Sequence, residues 1–481
     1  MIDLEYAGAP LADKRLARRL VKIAEKASKD PSASFPQMAR SDAELEAIYR
    51  FLNNHRVAAE GILEPHYLAT LSRMSASGTG ERVGVIHDST QFAFRNEVAR
   101  CLGYLPGPGQ RGIMGHFALA VEEGGVPLGL LGVEALIPPP PKPRKRGKKN
   151  RVYNRISPHR LAARWGRMVE KVRERIDKRV AFVHVMDREA DSFELMHDIK
   201  LSGESFVIRL RHRDRLARGE GDDDQAWRPV EDVAKAARFV CKREVALSRR
   251  AHSKEQTYRR RYAERDRRNA TLRVEALPVL FKKPGVLQGD EWRHLPTEMP
   301  VNVVRVWEPS PPPGEESVEW LLITNDPVDT SEQVEAIIDW YRRRWKIEEY
   351  FKALKTGCAF ERRQLQSFAG LLNTLALLAP IAWQLLTIRD QGRASPGAPA
   401  TTVLSKQQLK VLRGLSKRPL SSKPCVEEAL LAIAAQGGHL KRNGPPGWQT
   451  LGRGLEKLWW AEIGYQLGRS DALRRKRKCD Q

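Results

Sequence analysis

Between Arg82 and Leu210 the chain is built from short β-rich runs: VGVIHD, HFALAVE, PLGLLGVEAL, VAFVHVMD and SFVIRL, with a helical stretch, HRLAARWGRMVEKVRERI, before the fourth. Apolar runs of that length, rich in β-branched residues and broken by one helical period, define a mixed α/β core. The tract IPPPPKPRKRGKKNR, from Ile137 to Arg151, reads as a solvent-exposed loop. Proline cannot donate to a sheet ladder, and clustered like charges repel.

The flanks have a different period. In DKRLARRLVKIAEKAS, from Asp13 to Ser28, Leu16, Leu20, Ile23 and Ala27 fall at helical spacing with the basic residues mostly elsewhere around the helix. Ser41 followed by Glu44 predicts a capping box opening the next helix. Residues 1–75 therefore read as a small helical domain. Further β runs at 222–317, ATLRVEALPVLF and PVNVVRVWE among them, read as an inserted β-rich subdomain split by the basic SRRAHSKEQTYRRRYAERDRR. Residues 76–221 and 318–392 form the two parts of the core. Residues 393–481 are helical and end in the basic tail RRKRK. The apolar stretch Leu371 to Ile388 is interrupted by Asn373, Thr374, Pro380 and Gln384, so it reads as a buried helix, with no membrane as partner.

Lys and Arg number 83 against 59 Asp and Glu, a net charge of +24 that points to a polyanionic partner. The five cysteines are scattered without a C-x-x-C pair, which argues against a zinc ribbon or a disulfide framework. The start of the chain lacks the pattern of a secretory leader, and a reducing cytoplasm is the expected location.

Asp88 follows VGVIH and Asp187 follows FVHVM, so both carboxylates are expected at the ends of strands in one core. Either alone reads more readily as a turn former or helix cap; the pair carries more weight. In DWYRRRWKIEEYFKALKTG, residues Tyr341, Arg344, Glu348 and Lys355 share one face of a single expected helix, from Ser331 through Lys355. Glu349, about 100° around that helix, is the alternative third carboxylate. Three carboxylates offer hard oxygen ligands, which suit Mg²⁺. Two such ions, roughly 4 Å apart, activate a water and stabilise the leaving oxygen in phosphodiester cleavage. Asp88 is expected to bridge both, with Asp187 and Glu348 each completing one; Mn²⁺ is the expected substitute.

The chain resembles the DDE transposases of bacterial insertion sequences, in particular the insertion-sequence-four group that includes the transposon-five transposase. The resemblance rests on SFPQMARSDAELEAIYRFLNNHRV, on HDSTQF around Asp88, and on MDREADSFELM around Asp187. It rests also on Y-x2-R-x3-E-x6-K from Tyr341 to Lys355 and on GGHLKRNGPPGWQTLGRGLEKL near the end. It implies an RNase H-like catalytic core interrupted by a β-rich insertion, a helical DNA-binding N-terminal domain and a C-terminal helical dimerisation region. Asp88, Asp187 and Glu348 become the catalytic and metal-binding triad. Tyr341, Arg344 and Lys355 match residues that hold DNA phosphates, Arg209 another arginine at the DNA, and Trp320 a tryptophan that stacks on a flipped base. The implied activity is cut-and-paste transposition by a homodimer on transposon-end and target DNA, in a bacterial, nucleoid-associated setting. The chain departs from the group in the proline-rich tract at 137–151 and in NRISPHRLAARW, which lacks the acidic residues expected before the core helix. An RNase H-like structure-selective nuclease and a domesticated DNA-binding protein are the alternative readings.

Overall fold

The computed structural model describes residues 2–76, 82–95, 97–105, 110–138, 163–177, 180–219, 226–247, 265–287, 290–394, 396–416, 419–440 and 446–479. Most of the proline-rich tract, of NRISPHRLAARW and of the basic run at 248–268 lies outside these residues.

Three longer helices, α1 (Lys14–Lys29), α2 (Asp42–Leu52) and α3 (Ala59–Ala76), follow a 3-10 turn at Ile2–Glu5, with one short helical turn, Phe35–Met38, between the first two. Asp13 caps α1 by accepting the Arg15 N–H, and Leu20, Ile23, Ala24 and Ala27 form its buried stripe. Ser41 caps α2 by accepting the Glu44 N–H at 3.3 Å. The return bond of the expected box falls one residue early: the Glu44 carboxylate accepts from the Arg40 N–H at 2.7 Å and pairs with Lys26 of α1. The cap thereby also ties α2 to α1.

The β runs form one mixed sheet. Strands β1 (Val83–Phe94), β2 (Arg111–Val121) and β3 (Pro127–Leu136) are antiparallel neighbours. Helix α4 (Arg164–Arg175) then leads to β4 (Phe182–Met186), parallel to β1, and helix α5 (Phe193–Leu201) to β5 (Ser205–Arg209), parallel to β4. The order β3-β2-β1-β4-β5, with the last two parallel to β1, is an RNase H-like core. The inserted segment adds β6 (Arg238–Leu247), β7 (Arg268–Lys282) and β8 (Glu298–Trp307), and β9 (Glu319–Thr324) joins β8 to β5. The insertion thus lengthens the core sheet and does not form one of its own.

Helices α6 (Ser331–Arg343) and α7 (Trp345–Lys352) lie across the sheet, followed by the long α8 (Phe368–Ala394), α9 (Lys406–Leu415), α10 (Val426–Gln436) and α11 (Trp448–Cys479). Gly84 lets α6 approach β1: a Cβ there would stand 2.6 Å from the Trp340 ring. Apolar α8 is buried between α3, β3 and the first helices, and the same hydrophobic cluster runs from Ile2 to Trp448. The expected single helix over 331–355 is interrupted twice. Arg344 makes a tight turn, its N–H bonding the Tyr341 carbonyl, and Ala353–Gly357 is a π turn closed by the Cys358 N–H on the Ala353 carbonyl. Tyr341, Arg344, Glu348 and Lys355 therefore do not line one straight face.

Candidate active site

Asp88 sits in the middle of the twelve-residue β1, a correction to the expected strand end. β2 accompanies β1 as far as Phe94, but parallel β4 stops at Met186 opposite His87. One step further, Asp88 and Asp187 stand side by side with the sheet open between them. Side chains in register on neighbouring strands share a face, and the strands are about 4.8 Å apart. Each carboxylate is oriented by the backbone just ahead of it. Asp88 Oδ1 accepts the Ser89 N–H, and Asp187 Oδ1 the Glu189 N–H, both at 2.7 Å.

Arg344, at the α6–α7 turn and 8% exposed, bridges the first and third carboxylates. Its Nη1 donates to Asp88 Oδ2 at 2.9 Å and its Nη2 to Glu348 Oε1 at 2.5 Å. One fork thereby gathers a carboxylate 256 positions before it in the chain and another four positions after it. Burial pushes the Asp88 carboxyl up to about 7, helped by the charges of Asp187 and Glu348 and opposed by Arg344 and the Ser89 N–H. Burial raises Asp187 as well, with the Glu189 charge adding to it and the Glu189 N–H, Arg344 and Arg188 opposing.

Such a site is short of positive charge, and its hard oxygen donors fit a divalent cation. As the side chains stand, no three carboxylates among the described residues converge closely enough to hold one. The Arg344 guanidinium lies between Asp88 and Glu348, so a cation at that point requires the fork to withdraw.

A cleft opens in front of this group, lined among others by Asp187, Arg209, Trp320, Tyr341, Arg344 and Glu348. Arg188, Arg342 and Arg343 add to its basic wall. Trp320 is half-buried, its ring 6.0 Å from that of Tyr341, and Tyr341 is only 4% exposed, so this pair is a core edge that also faces the cleft. Lys355 is absent from the cleft lining; its Nζ lies 5.4 Å from the centre of the Phe92 ring, further along β1, where burial lowers its pKa.

Sequence reasoning passed over Trp345, which is 58% exposed on the cleft wall beside Arg344. Its signal was an aromatic set among the charges of RRRWKIEEY. It also passed over Asp191, the last residue of DREAD, which accepts the backbone N–H groups of Arg211 and His212 at 2.7 and 2.9 Å and pairs with Arg215. Asp191 thereby fixes the loop after β5. Glu349, the alternative third carboxylate, faces away into Arg389, Lys352 and the Trp448 indole.

Two family models match the chain: Transposase DNA-binding over residues 1–57, and Transposase DDE domain over residues 146–383. Together they take in more than half of it. The second includes Asp187 and Glu348 and begins after Asp88. Among solved structures, a cryo-EM structure of the piggyBac transposase synaptic complex with hairpin DNA is similar at 9% identity, over 95% of this chain and 73% of that one, with a TM-score of 0.32.

Proposed function

From a chain that belongs to the DDE transposases, we propose that it binds the terminal inverted repeats of a mobile element, cuts them by Mg²⁺-dependent hydrolysis and joins the 3′ ends to target DNA. The motifs around Asp88, Asp187 and Glu348 favour a bacterial insertion-sequence-four element and a homodimer acting through the C-terminal helices. The observation that carries the site assignment is the Arg344 fork, which joins Asp88 to Glu348 beside Asp187.

Asp88, Asp187 and Glu348 are the residues that hold the cation. When bound, Mg²⁺ or its substitute Mn²⁺ supplies the Lewis acid that activates a water, and later a 3′-hydroxyl, for in-line attack on phosphorus. The Ser89 and Glu189 N–H groups keep the two aspartates aimed. Arg344 balances Asp88 and Glu348 until DNA arrives, then exchanges those carboxylates for a backbone phosphate, a partner its planar fork suits equally well. Arg209 supports the strand entering the cleft, and Trp320 offers its exposed edge to a base drawn from the stack, worth roughly 1–3 kcal/mol. Away from the cleft, Arg15, Arg18, Arg19, Lys22 and Lys26 line a basic groove between α1 and α2 that holds phosphates of the end repeat.

Asp88→Asn, Asp187→Asn and Glu348→Gln are each expected to abolish Mg²⁺-dependent cleavage of an end-containing duplex while leaving its gel shift near wild type. A variant that still cuts at the wild-type rate removes its residue from the triad. A 3′-hydroxyl end joined to target DNA distinguishes transposition from nuclease action.

A further inference from the structure

The strand pleat turns Ser89 to the sheet face opposite Asp88, and there it meets the first residue of α4. Arg164 is 5% exposed, and among the described residues its guanidinium reaches two acceptors, one in the middle of β1 and one in the turn just past β4. Nε donates to Ser89 Oγ at 2.7 Å, and Nη2 to Glu189 Oε2 at 2.5 Å. These partners are the same two residues whose backbone N–H groups orient Asp88 and Asp187. A single side chain therefore holds, by their side chains, both of the residues whose backbone N–H groups aim the carboxylates.

The surroundings hold Arg164 in turn. Ser89 Oγ lies 2.8 Å from Nδ1 of the fully buried His116, whose ring meets that of Trp165 edge-on at 4.6 Å. Helix α4 is seated on β3 by Met168 over Gly132, where a Cβ would come within 2.3 Å of the sulfur. A guanidinium is costly to bury, and this one is kept where only a rigid two-armed donor reaches both Ser89 of β1 and Glu189 in the turn after β4.

We propose that Arg164 is a positioning residue that sets the spacing and tilt of Asp88 and Asp187 by tying Ser89 to Glu189. This rests on the reading of the two aspartates as cation-holding groups. Residues that orient metal ligands without touching the metal typically change affinity by about 10–100-fold when removed.

The test uses the full chain bound to an uncleavable phosphorothioate end, with Mn²⁺ binding measured by calorimetry or electron paramagnetic resonance. Arg164→Gln should raise the Mn²⁺ dissociation constant by about 10–100-fold, leave metal-free end binding unchanged, and recover cleavage of a normal end at saturating Mn²⁺. Arg164→Lys should not restore affinity, since one ammonium does not span both acceptors. Glu189 has a half-exposed side chain, so Glu189→Gln folds and should shift Mn²⁺ affinity in the same direction by less. The double variant should be no worse than Arg164→Gln alone. Wild-type Mn²⁺ affinity in both Arg164→Gln and Glu189→Gln overturns the proposal, as does an unfolded Arg164→Gln beside a Glu189→Gln that binds Mn²⁺ normally. Asp88→Asn with unimpaired Mn²⁺ binding would instead remove the carboxylate reading, a result separate from an unchanged Arg164→Gln beside an Asp88→Asn that no longer binds.

Discussion

Asp88 titrates near 7 in the folded protein against an ordinary 3.8, with burial the main cause. Between those two values the folded chain holds a proton that the unfolded chain has released. Asp88 therefore contributes stability that is fully present below its unfolded value and is lost as pH rises through about 7. Cation binding runs the opposite way, because only the carboxylate ligates. The affinity of the DNA-free protein for Mn²⁺ should fall by about tenfold per pH unit below pH 7 and level off above it. Calorimetric titrations across that range read the slope, and a flat profile would mean that Asp88 is not a ligand. Asp88, Asp187 and Glu348 were legible in the sequence as candidates because each sits in a motif. Arg164 was not, since its value lies in two contacts, Ser89 and Glu189, that are distant in the chain. It is the penultimate residue of the segment NRISPHRLAARW, whose want of acidic residues reads from sequence only as a departure.

Helix α7 carries two glutamates with different work. Glu348 faces the cleft, while Glu349 accepts from the Trp448 indole at 3.2 Å and pairs with Lys352 and Arg389. On the same short helix Lys346 reaches Asp390 of α8 at 2.8 Å, and Asp390 is 4% exposed. The cleft-facing carboxylate is thereby fixed from behind by α8 and by the first turn of α11. Glu349→Gln should keep most cleavage activity and cost about 1–3 kcal/mol of stability. Trp448→Ala, which empties a buried site, should cost about 3–5 kcal/mol. Thermal melts and cleavage rates on the same preparations check both. A folded Glu349→Gln that no longer cuts would exchange the roles of the two glutamates. The β runs and most helices were legible from periodicity, but the Arg344 turn and the π turn at Ala353–Gly357 were not. Both depend on tertiary partners, Asp88 for the first and the packing of α8 for the second, and local spacing does not carry that information.

At the scale of the whole molecule, the DNA-binding match at 1–57 coincides with helices that share the catalytic core's hydrophobic cluster. The Tyr6 hydroxyl donates to the Leu377 carbonyl at 2.5 Å, and Asn373 donates to the Leu52 and Val57 carbonyls at 2.9 and 3.0 Å. Arg363, 2% exposed, donates to the Pro31 and Ala33 carbonyls; burial brings its pKa down to about 10. Removing residues 1–57 leaves Asn373 and Arg363 without those acceptors, so the product is expected to bind a hydrophobic dye and melt without a sharp transition. A sharp wild-type transition would show the segment to be separable. Point changes on α1 probe DNA contact more cleanly: Arg18→Ala or Lys22→Ala should each lower the log–log salt slope of end binding by about one. The shared sheet has a further consequence, for synthesis. Strand β5 is complete at Arg209, yet the strand that covers its outer edge, β9, begins only at Glu319, after the whole insertion. At roughly 5–20 residues per second, a ribosome leaves that edge unpaired for roughly 5–25 s, long enough for neighbouring nascent chains to pair with it. Chains released before Thr324 should therefore aggregate, and slower growth with abundant chaperone should raise the soluble yield.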